Sequence, residues 1–409
     1  MPSVIGYLSG RVDARIVYDR WLQGEPTDYF GTSYLQQFFS AVTDLGAVGH
    51  VVTSHDGEFY DVLCGKFLIS NRPRVSNQLG WRYHLSEVKW IRSALSDLHA
   101  NASDVVVLTD AQNYWAVTFG LRMKRTKFVN ALHCALRPSF KTEPLHTRLL
   151  LWATGALHYS FGDATLSASP LIDRQLSLMP GARKRQVIQF LPTYAPNDFL
   201  EVKTKNSIGS PTMVLYAGRI ERSKGVFDLL EAAETLEQRH GADAVVFEVC
   251  GEGNDLGELR RLSAARGMSH SFRVHGFCNR VELSGRFATA DLVVVPTRTE
   301  FEEGFAMIVA EGITAGIPVI TSRVCPALEV VSPACMEVQP DDPQAYADAI
   351  TALMLDPSLY EAKRQAAATL RTQFFDTANS YGAKLKPILE KLILGKTQNP
   401  ETVPEVPLV

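Results

Sequence analysis

The sequence predicts an α/β protein of two doubly wound parallel-sheet domains that face each other across a cleft. Three observations carry this expectation. Short β-branched runs alternate with longer segments of 3.6-residue apolar periodicity along nearly the whole chain, the pattern of parallel strands covered by helices on both faces. The alternation breaks once, over Phe190–Pro211, where Pro192, Pro196, Gly209 and Pro211 punctuate a linker-like stretch. The chain has 409 residues, enough for two domains that each bury a core.

In the first half, Ser3–Leu8, Val48–Thr53, Asp104–Leu108, Lys127–Leu132 and Ala164–Ser167 read as strands, and helical periodicity falls between them, as at Ser33–Leu45 and Ser86–Leu98. After the break, expected strands at Thr212–Ala217, Ala244–Val249, Phe272–His275, Leu292–Val295 and Pro318–Thr321 alternate with expected helices. Those helices fall at Val226–Arg239, Leu256–Arg266, Arg280–Phe287 and Phe305–Thr314. Helical segments follow at Pro343–Met354 and Pro357–Thr372, and a last one near Thr377–Leu394 ends at Gly395. The expected division is a first domain over residues 1–195, completed by 376–395, and a second over 210–373. The Pro-rich tail 396–409 is expected to be disordered.

The composition is that of an ordinary globular chain, and a net charge of −3 excludes a strongly basic nucleic-acid binder. The charge is divided unevenly: residues 1–200 carry +4 and residues 201–409 carry −7. Arg122–Arg148 holds seven basic residues against the single acid Glu143, and Arg183-Lys184-Arg185 forms a second cluster. Such clusters attract anionic surfaces. The six cysteines show no CxxC spacing, so reduced, mostly buried thiols are expected rather than a zinc ribbon or redox motif. The N-terminal apolar run is too short for a signal peptide. The longest run, Leu149–Leu157, is too short for a span of ~20 residues and reads as a core helix. A cytoplasmic location is expected, with the inner face of a membrane as a surface the basic clusters could touch.

In doubly wound sheets, ligands bind beyond the carboxyl ends of the strands. After Thr212–Ala217 comes Gly218-Arg219-Ile220-Glu221-Arg222-Ser223-Lys224-Gly225, and then a helix. A cation at a helix N-terminus opposes the dipole by ~0.3–1 kcal/mol. That placement suits a bound anion, because the free N–H groups there already favour phosphate. Arg219 can offer a planar fork to a second phosphate oxygen. A solvated lysine and a structural arginine are the alternative.

After Leu292–Val295 the chain reads Pro296-Thr297-Arg298-Thr299-Glu300-Phe301-Glu302-Glu303-Gly304-Phe305-Ala306, then an apolar helix that contains Glu311. Glu303 precedes the helix and Glu311 is expected two turns inside it. Eight helical residues span ~12 Å, about the separation of sugar and ribose in a nucleotide-diphosphate sugar. A helix apolar nearly all round should be buried, and a buried carboxylate needs hydrogen-bond donors, which a ribose diol would supply. A structurally paired carboxylate is the alternative. The Gly304–Ala306 amides could hold a diphosphate. Glu300 and Glu302 read as solvated loop charges.

Together, Gly218-Arg219…Lys224-Gly225, Gly251-Glu252-Gly253, Val274-His275-Gly276-Phe277, Glu303-Gly304-Phe305…Glu311 and Gly316-Ile317-Pro318-Val319-Ile320 resemble the donor domain of glycosyltransferase family 4. The resemblance is detailed over about 212–330 and looser before. It implies the GT-B fold, with two Rossmann-like domains and a C-terminal helix that crosses back to the first. It also implies retaining transfer from a nucleotide-diphosphate sugar. Residue by residue, it implies that Arg219 and Lys224 bind the donor diphosphate, Glu303 contacts donor-sugar hydroxyls and Glu311 holds the ribose. Phe277, after Gly276, falls where the nucleobase is contacted, largely through backbone. Gly218, Gly253, Gly304, Phe305 and Ala306 lie on the same donor-binding stretches. In the first half, Lys127–Leu132 followed by His133 resembles the strand-then-histidine that reaches the donor sugar. Phe30-Gly31-Thr32-Ser33 resembles the glycine-rich first loop near the diphosphate and acceptor. The expected catalytic set is therefore Glu303, His133, Arg219 and Lys224.

Some positions depart from the family. The first loop has one glycine where many relatives have two. Ala306 replaces a common glycine while keeping its N–H, Gly312 replaces a frequent alanine, and Ser322–Glu329 lacks the usual paired glycines. None of these removes a charged group. The leaving diphosphate would be stabilised by Arg219, Lys224 and helix N-termini. The chain has no Asp-x-Asp, so the basic residues stand in for a metal, and neither metal nor cofactor is expected. The acceptor would be a carbohydrate, or an anionic or lipid-linked precursor, in glycan, polysaccharide or glycolipid synthesis. A nucleotide-sugar epimerase or hydrolase of the same fold is one alternative, and a catalytically silent nucleotide-sugar binder is another. Retention of both glutamates and both cations weighs against the second.

Overall fold

The computed structural model describes residues 2–27, 30–74, 81–109, 126–137, 139–140, 162–181, 187–199, 202 and 207–397, with residues 145, 148–149, 152–153 and 155–156. Two sheets form the frame. The first contains β1 (Val4–Leu8), β2 (Val48–Thr53), β3 (Tyr60–Cys64), β4 (Phe67–Asn71), β5 (Val105–Leu108), β6 (Lys127–Leu132), β7 (Ala164–Ser167) and β8 (Val187–Gln189). Their order is β3-β4-β2-β1-β5-β6-β7-β8, parallel except for the β3/β4 pair. The second contains β9 (Thr212–Ala217), β10 (Val245–Cys250), β11 (Phe272–Gly276), β12 (Leu292–Val295), β13 (Val319–Ser322) and β14 (Cys335–Val338). It is wholly parallel, in the order β11-β10-β9-β12-β13-β14.

The central strands are continuous apolar runs because helices cover both of their faces. Every residue of β5 (VVVL) and β12 (LVVV) is buried. Four strands escape the sequence reading: β4, which is internal and largely buried, and three edge strands. β3 lies at one edge with its exposure alternating along the strand, and it returns into β4 through Gly65 at φ +56°. β8 and β14 lie at the opposite edges of their sheets. The helices Ala14–Gln23 and Pro170–Ser177 were likewise not expected.

The last helix, Tyr381–Thr397, packs on the helix Tyr34–Asp44 and on β5 and β7 of the first sheet. Its Tyr381, Leu385 and Leu389 are fully buried in the first-sheet core. Burial on that scale is worth ~1.5–3 kcal/mol per side chain, which is what holds the helix there. Two hydrogen bonds fix its register. Gly382 N–H donates to Gln37 Oε1 (2.7 Å), and Lys127 Nζ donates to the Leu392 carbonyl (2.8 Å). The two connections between the sheets run side by side. Leu191 N–H donates to the Asn379 carbonyl and Tyr194 N–H to the Phe374 carbonyl, at 2.9 and 3.0 Å. Phe30, Tyr194 and Phe199 from the first half pack into a core shared with Phe287 and Phe305 of the second.

Two expectations change. The Leu149–Leu157 run is core only in part: Gly155 is buried beside Met179, but Leu149 is 59% and Trp152 61% exposed. With Leu145, also exposed, they fall at i, i+4 and i+7 on one outward helical face. Of the six cysteines, only Cys250, Cys325 and Cys335 are buried, while Cys134 is exposed. Arg122, Lys124, Arg125, Lys141, Arg183-Lys184-Arg185 and residues 398–409 lie outside the described residues. Among the described residues, no helix is long and apolar enough to cross a membrane.

Candidate functional site

The second sheet has the strand order 3-2-1-4-5-6 when its strands are counted from β9. The chain therefore departs from β9 toward one edge and from β12 toward the other. That reversal opens a crevice beyond their carboxyl ends. Both charged runs leave the sheet there. Gly218–Gly225 follows β9, and Pro296–Ala306 follows β12. The two backbones touch at Gly225, which has φ +73° and where a Cβ would lie 1.9 Å from the Pro296 carbonyl oxygen. Only glycine permits that approach.

The loop after β12 is held rigidly. Arg298 N–H donates to the Ser223 carbonyl (3.0 Å), and the Arg298 guanidinium grips both Asp228 oxygens at 2.6 and 2.9 Å. Thr299 N–H donates to Asp341 Oδ1 (3.0 Å). Burial pushes the Asp228 carboxyl up to about 6 despite the adjacent guanidinium.

The crevice is a cleft of about 610 Å³ between the two sheets. It is lined by ten of the expected residues: His133, Gly218, Arg219, Lys224, Phe277, Glu303, Gly304, Phe305, Ala306 and Glu311. Gly31, Gly253 and Gly276 are not on its walls. Gly31 opens instead on a second cavity of about 670 Å³, and a Cβ there would meet the Tyr194 ring at 3.2 Å. Gly253 presses against the Ile220 carbonyl, 2.2 Å from where its Cβ would be. Gly276 ends β11 beside the Arg260 guanidinium. These three shape the backbone behind the walls.

Lys224 pairs with the Glu303 carboxylate, and the Thr297 hydroxyl donates to the same Glu303 oxygen at 2.8 Å. The two charged side chains are only 15% and 10% exposed, so water cannot readily replace either partner. The Lys224 ammonium also sits 3.7 Å from the centre of the Phe301 ring. The Arg219 guanidinium lies 5.2 Å from the same ring and 3.0 Å from Glu221, and is over half exposed. Phe301 is thus a shared aromatic floor for both cations. The sequence reading missed it, although a lone aromatic in the polar run Thr297–Glu303 was a visible signal.

Glu311 lies one turn, not two, inside its helix. The helix begins at Met307 because Ala306 adopts φ +69°, a left-handed conformation that cannot continue it. The Glu311 carboxyl sits deep on the cleft floor, still touched by solvent, with no hydrogen-bond partner among the described residues. Burial alone pushes its pKa up to about 8, so at neutral pH it is mostly protonated.

His133 enters from the first domain at the end of β6. Its ring packs among Tyr34, Phe190 and Tyr381, with centroids at 4.5, 5.4 and 5.8 Å. Burial lowers its pKa to about 4, and Nδ1 is buried without a partner among the described residues, so the ring is a neutral group with hydrogen-bonding capacity to spare. Its carbonyl meets Gly304, where a Cβ would lie 1.8 Å from the oxygen. The two domains close on each other at this point.

Residues 198–370 match the family model described as glycosyl transferases group 1. The D-inositol 3-phosphate glycosyltransferase of Corynebacterium jeikeium (strain K411) is 30% identical over 205 residues, covering 48% of this chain and 47% of that protein. The chain thus spans about half the length of the curated relatives it matches. Among solved structures, sucrose-phosphate synthase from Thermosynechococcus elongatus superposes with a TM-score of 0.69 at 15% identity, covering 96% of this chain and 100% of that one. Anabaena Alr3699/HepE in complex with UDP superposes at 0.67 and 16% identity, covering 96% and 100%. The fold is GT-B: two parallel-sheet α/β domains facing across a cleft.

The buried carboxyl gives a pH signature. The unfolded chain releases the Glu311 proton near 4.5, while the folded protein holds it to about 8. The unfolded state therefore binds fewer protons through that window, and stability falls as pH rises through it. Glu311→Gln is expected to remove this fall and to be the more stable protein at pH 8, by on the order of 1–3 kcal/mol after allowing for the solvent in the cleft. Urea unfolding at pH 5 and pH 8 checks it, and equal pH slopes for both proteins would show that the burial has no such effect.

Proposed function

We propose that the protein is a glycosyltransferase of the family-4 type that moves a sugar from a nucleotide-diphosphate sugar to an acceptor held by the first domain. One observation carries this reading. At the switch point of the second sheet, two cations and a carboxylate converge on one cleft whose floor holds a half-buried carboxyl with no partner among the described residues. A diphosphate answers the cations. Arg219 offers a planar fork, and Lys224 a point charge that an anion can draw from Glu303. A sugar then lies between Glu303 and His133, and a ribose diol answers Glu311. Negative charge grows on the diphosphate as the glycosidic bond breaks, and fixed cations in a partly desolvated cleft stabilise that state most. The acceptor hydroxyl attacks from the face the diphosphate leaves, which retains configuration. Arg219 and Lys224 supply the charge, so transfer proceeds without a divalent metal. The match to group 1 glycosyl transferases over residues 198–370 supports the donor assignment.

The acceptor side carries the membrane part of the reading. Leu145, Leu149 and Trp152 form an exposed apolar face with the exposed Arg148 beside it. An apolar stripe edged by cations suits an anionic bilayer surface.

Three outcomes are expected. Lys224→Ala weakens binding of the cognate nucleoside diphosphate about 10–100-fold in calorimetry, the worth of a charge-assisted hydrogen bond. Unchanged affinity in a folded variant refutes the site. Turnover survives EDTA; loss of most activity that Mg²⁺ then restores refutes metal independence. The protein floats with phosphatidylcholine vesicles only when phosphatidylserine is included, and Trp152→Ser reduces that flotation; no lipid dependence at low salt sinks the membrane reading.

A further inference from the structure

Three of the six cysteines, Cys134, Cys250 and Cys278, line the cleft. Cys250 is the last residue of β10 and is buried, held in a strand paired on both sides. Cys278 stands just beyond β11 and is half-buried. The two strands run parallel with Cys250 level with Gly276, after a slip of register between Val249 and Cys250. Gly276 has φ +87°, a left-handed conformation at which β11 ends. Cys278 packs against the apolar core that contains Cys250. The Cys278 thiol also faces the Gly276 carbonyl at 3.7 Å.

One of these sulfurs is fixed and the other is not. Cys278 belongs to the connection Phe277–Asn279, which has no regular structure and joins β11 to the helix Arg280–Thr289. A disulfide needs its sulfurs ~2.05 Å apart and its Cβ atoms ~3.8 Å apart. A short connection can move to close the remaining gap, whereas two residues inside a sheet could not.

We propose that Cys250 and Cys278 are a reversible oxidation site whose disulfide draws the Phe277–Asn279 connection inward and shuts that end of the cleft. The oxidant class is a small peroxide. The Cys278 thiolate attacks one peroxide oxygen; an S–O bond forms, the O–O bond breaks, and hydroxide leaves as water after taking a proton. The Cys250 sulfur then attacks the Cys278 sulfur. The S–S bond forms, the S–O bond breaks, and the second hydroxide leaves as water with the Cys250 proton. The two thiols lose two electrons, and the peroxide is reduced to two waters. The roles follow from the setting. Cys278 is reachable from solvent, and Cys250 is buried in the core that Cys278 packs against. Phe277, 48% exposed on the cleft wall, is covalently next to Cys278 and must move with it. Only the effect on ligand binding rests on the nucleotide reading; the cross-link does not.

The test treats the full chain with hydrogen peroxide. It reads the product by intact mass and peptide mapping, and measures UDP, GDP and ADP affinities before and after. The expected result is loss of two hydrogens, one peptide pair joined through Cys250 and Cys278, and full reversal by dithiothreitol. Cys250→Ser and Cys278→Ser each abolish the cross-link. Whichever diphosphate binds the reduced protein loses about tenfold or more in affinity on cross-linking and regains it on reduction. The proposal is overturned if peroxide carries Cys278 to the sulfinic acid, if both thiols stay open to alkylation, or if the cross-linked protein binds as tightly as the reduced one. If none of the three diphosphates binds the reduced protein, the nucleotide reading fails, and the oxidation site is then decided by the cross-link alone.

Discussion

The contact between the chain leaving β9 and the chain leaving β12 is the constraint on which the rest of the site depends. Gly225 against the Pro296 carbonyl brings the two loops to backbone distance, and the Lys224–Glu303 pair then joins them through side chains. Neither step works alone. Without the glycine the loops stand apart, and Lys224 cannot reach Glu303. Without the pair, a mostly buried ammonium and a mostly buried carboxylate would each be left uncompensated, which costs more than the pair itself contributes. Thr297, Phe301 and the Arg298–Asp228 clamp fix the geometry of that junction, so the charges are in place before any ligand arrives. Preorganisation of this kind lets a charged group stabilise a developing charge without rearranging.

The junction also resolves an electrostatic puzzle. The half of the chain that carries −7 holds the site read here as binding a diphosphate. Net charge is a poor guide at this scale, because it does not say which charges are paired elsewhere and which face the cleft. Arg298 is committed to Asp228, and Glu248 takes Arg273, Arg286 and His275. Glu311 is raised by burial to about 8, so it adds little negative charge to the cleft at neutral pH. What faces the cleft is set by which charges remain partly uncovered, and Arg219 is the clearest of them.

Legibility in the sequence followed burial. Strands covered on both faces, such as β5, β9 and β12, announced themselves as unbroken apolar runs. β3, β8 and β14 lie at sheet edges, where short length or alternating exposure dilutes the pattern, and the buried β4 is the exception, missed although it lies inside its sheet. The exposed face of Leu145, Leu149 and Trp152 was misread for the converse reason. Periodicity shows that apolar residues share a face but not which way that face points. In the site, the charged residues were legible because a cation at a helix start and a carboxylate in an apolar helix are each costly unless answered. Phe301 was visible as a lone aromatic in a polar run, but only the fold brings the two cations onto its ring. The three glycines off the cleft walls were legible as glycines but not as to purpose. A glycine marks a backbone that must come close to something, and Ile220, Tyr194 and Arg260 are named only by the fold.

By itself, the sequence determined the alternation of strands and helices, the break near Phe190–Pro211, and the chemical identity of the groups that follow β9 and β12. Those are local properties, fixed by the order of residues along a few turns or strands. Tertiary structure decided what the groups do to one another. It placed Lys224 on Glu303 and Phe301 and set His133 among three aromatic rings. It left Glu311 without a hydrogen-bond partner among the described residues and packed Cys278 against the core that holds Cys250. Each depends on residues far apart in the chain meeting across a sheet or between two domains. Pairing, desolvation and reach are properties of that meeting, and the residues do not carry them alone.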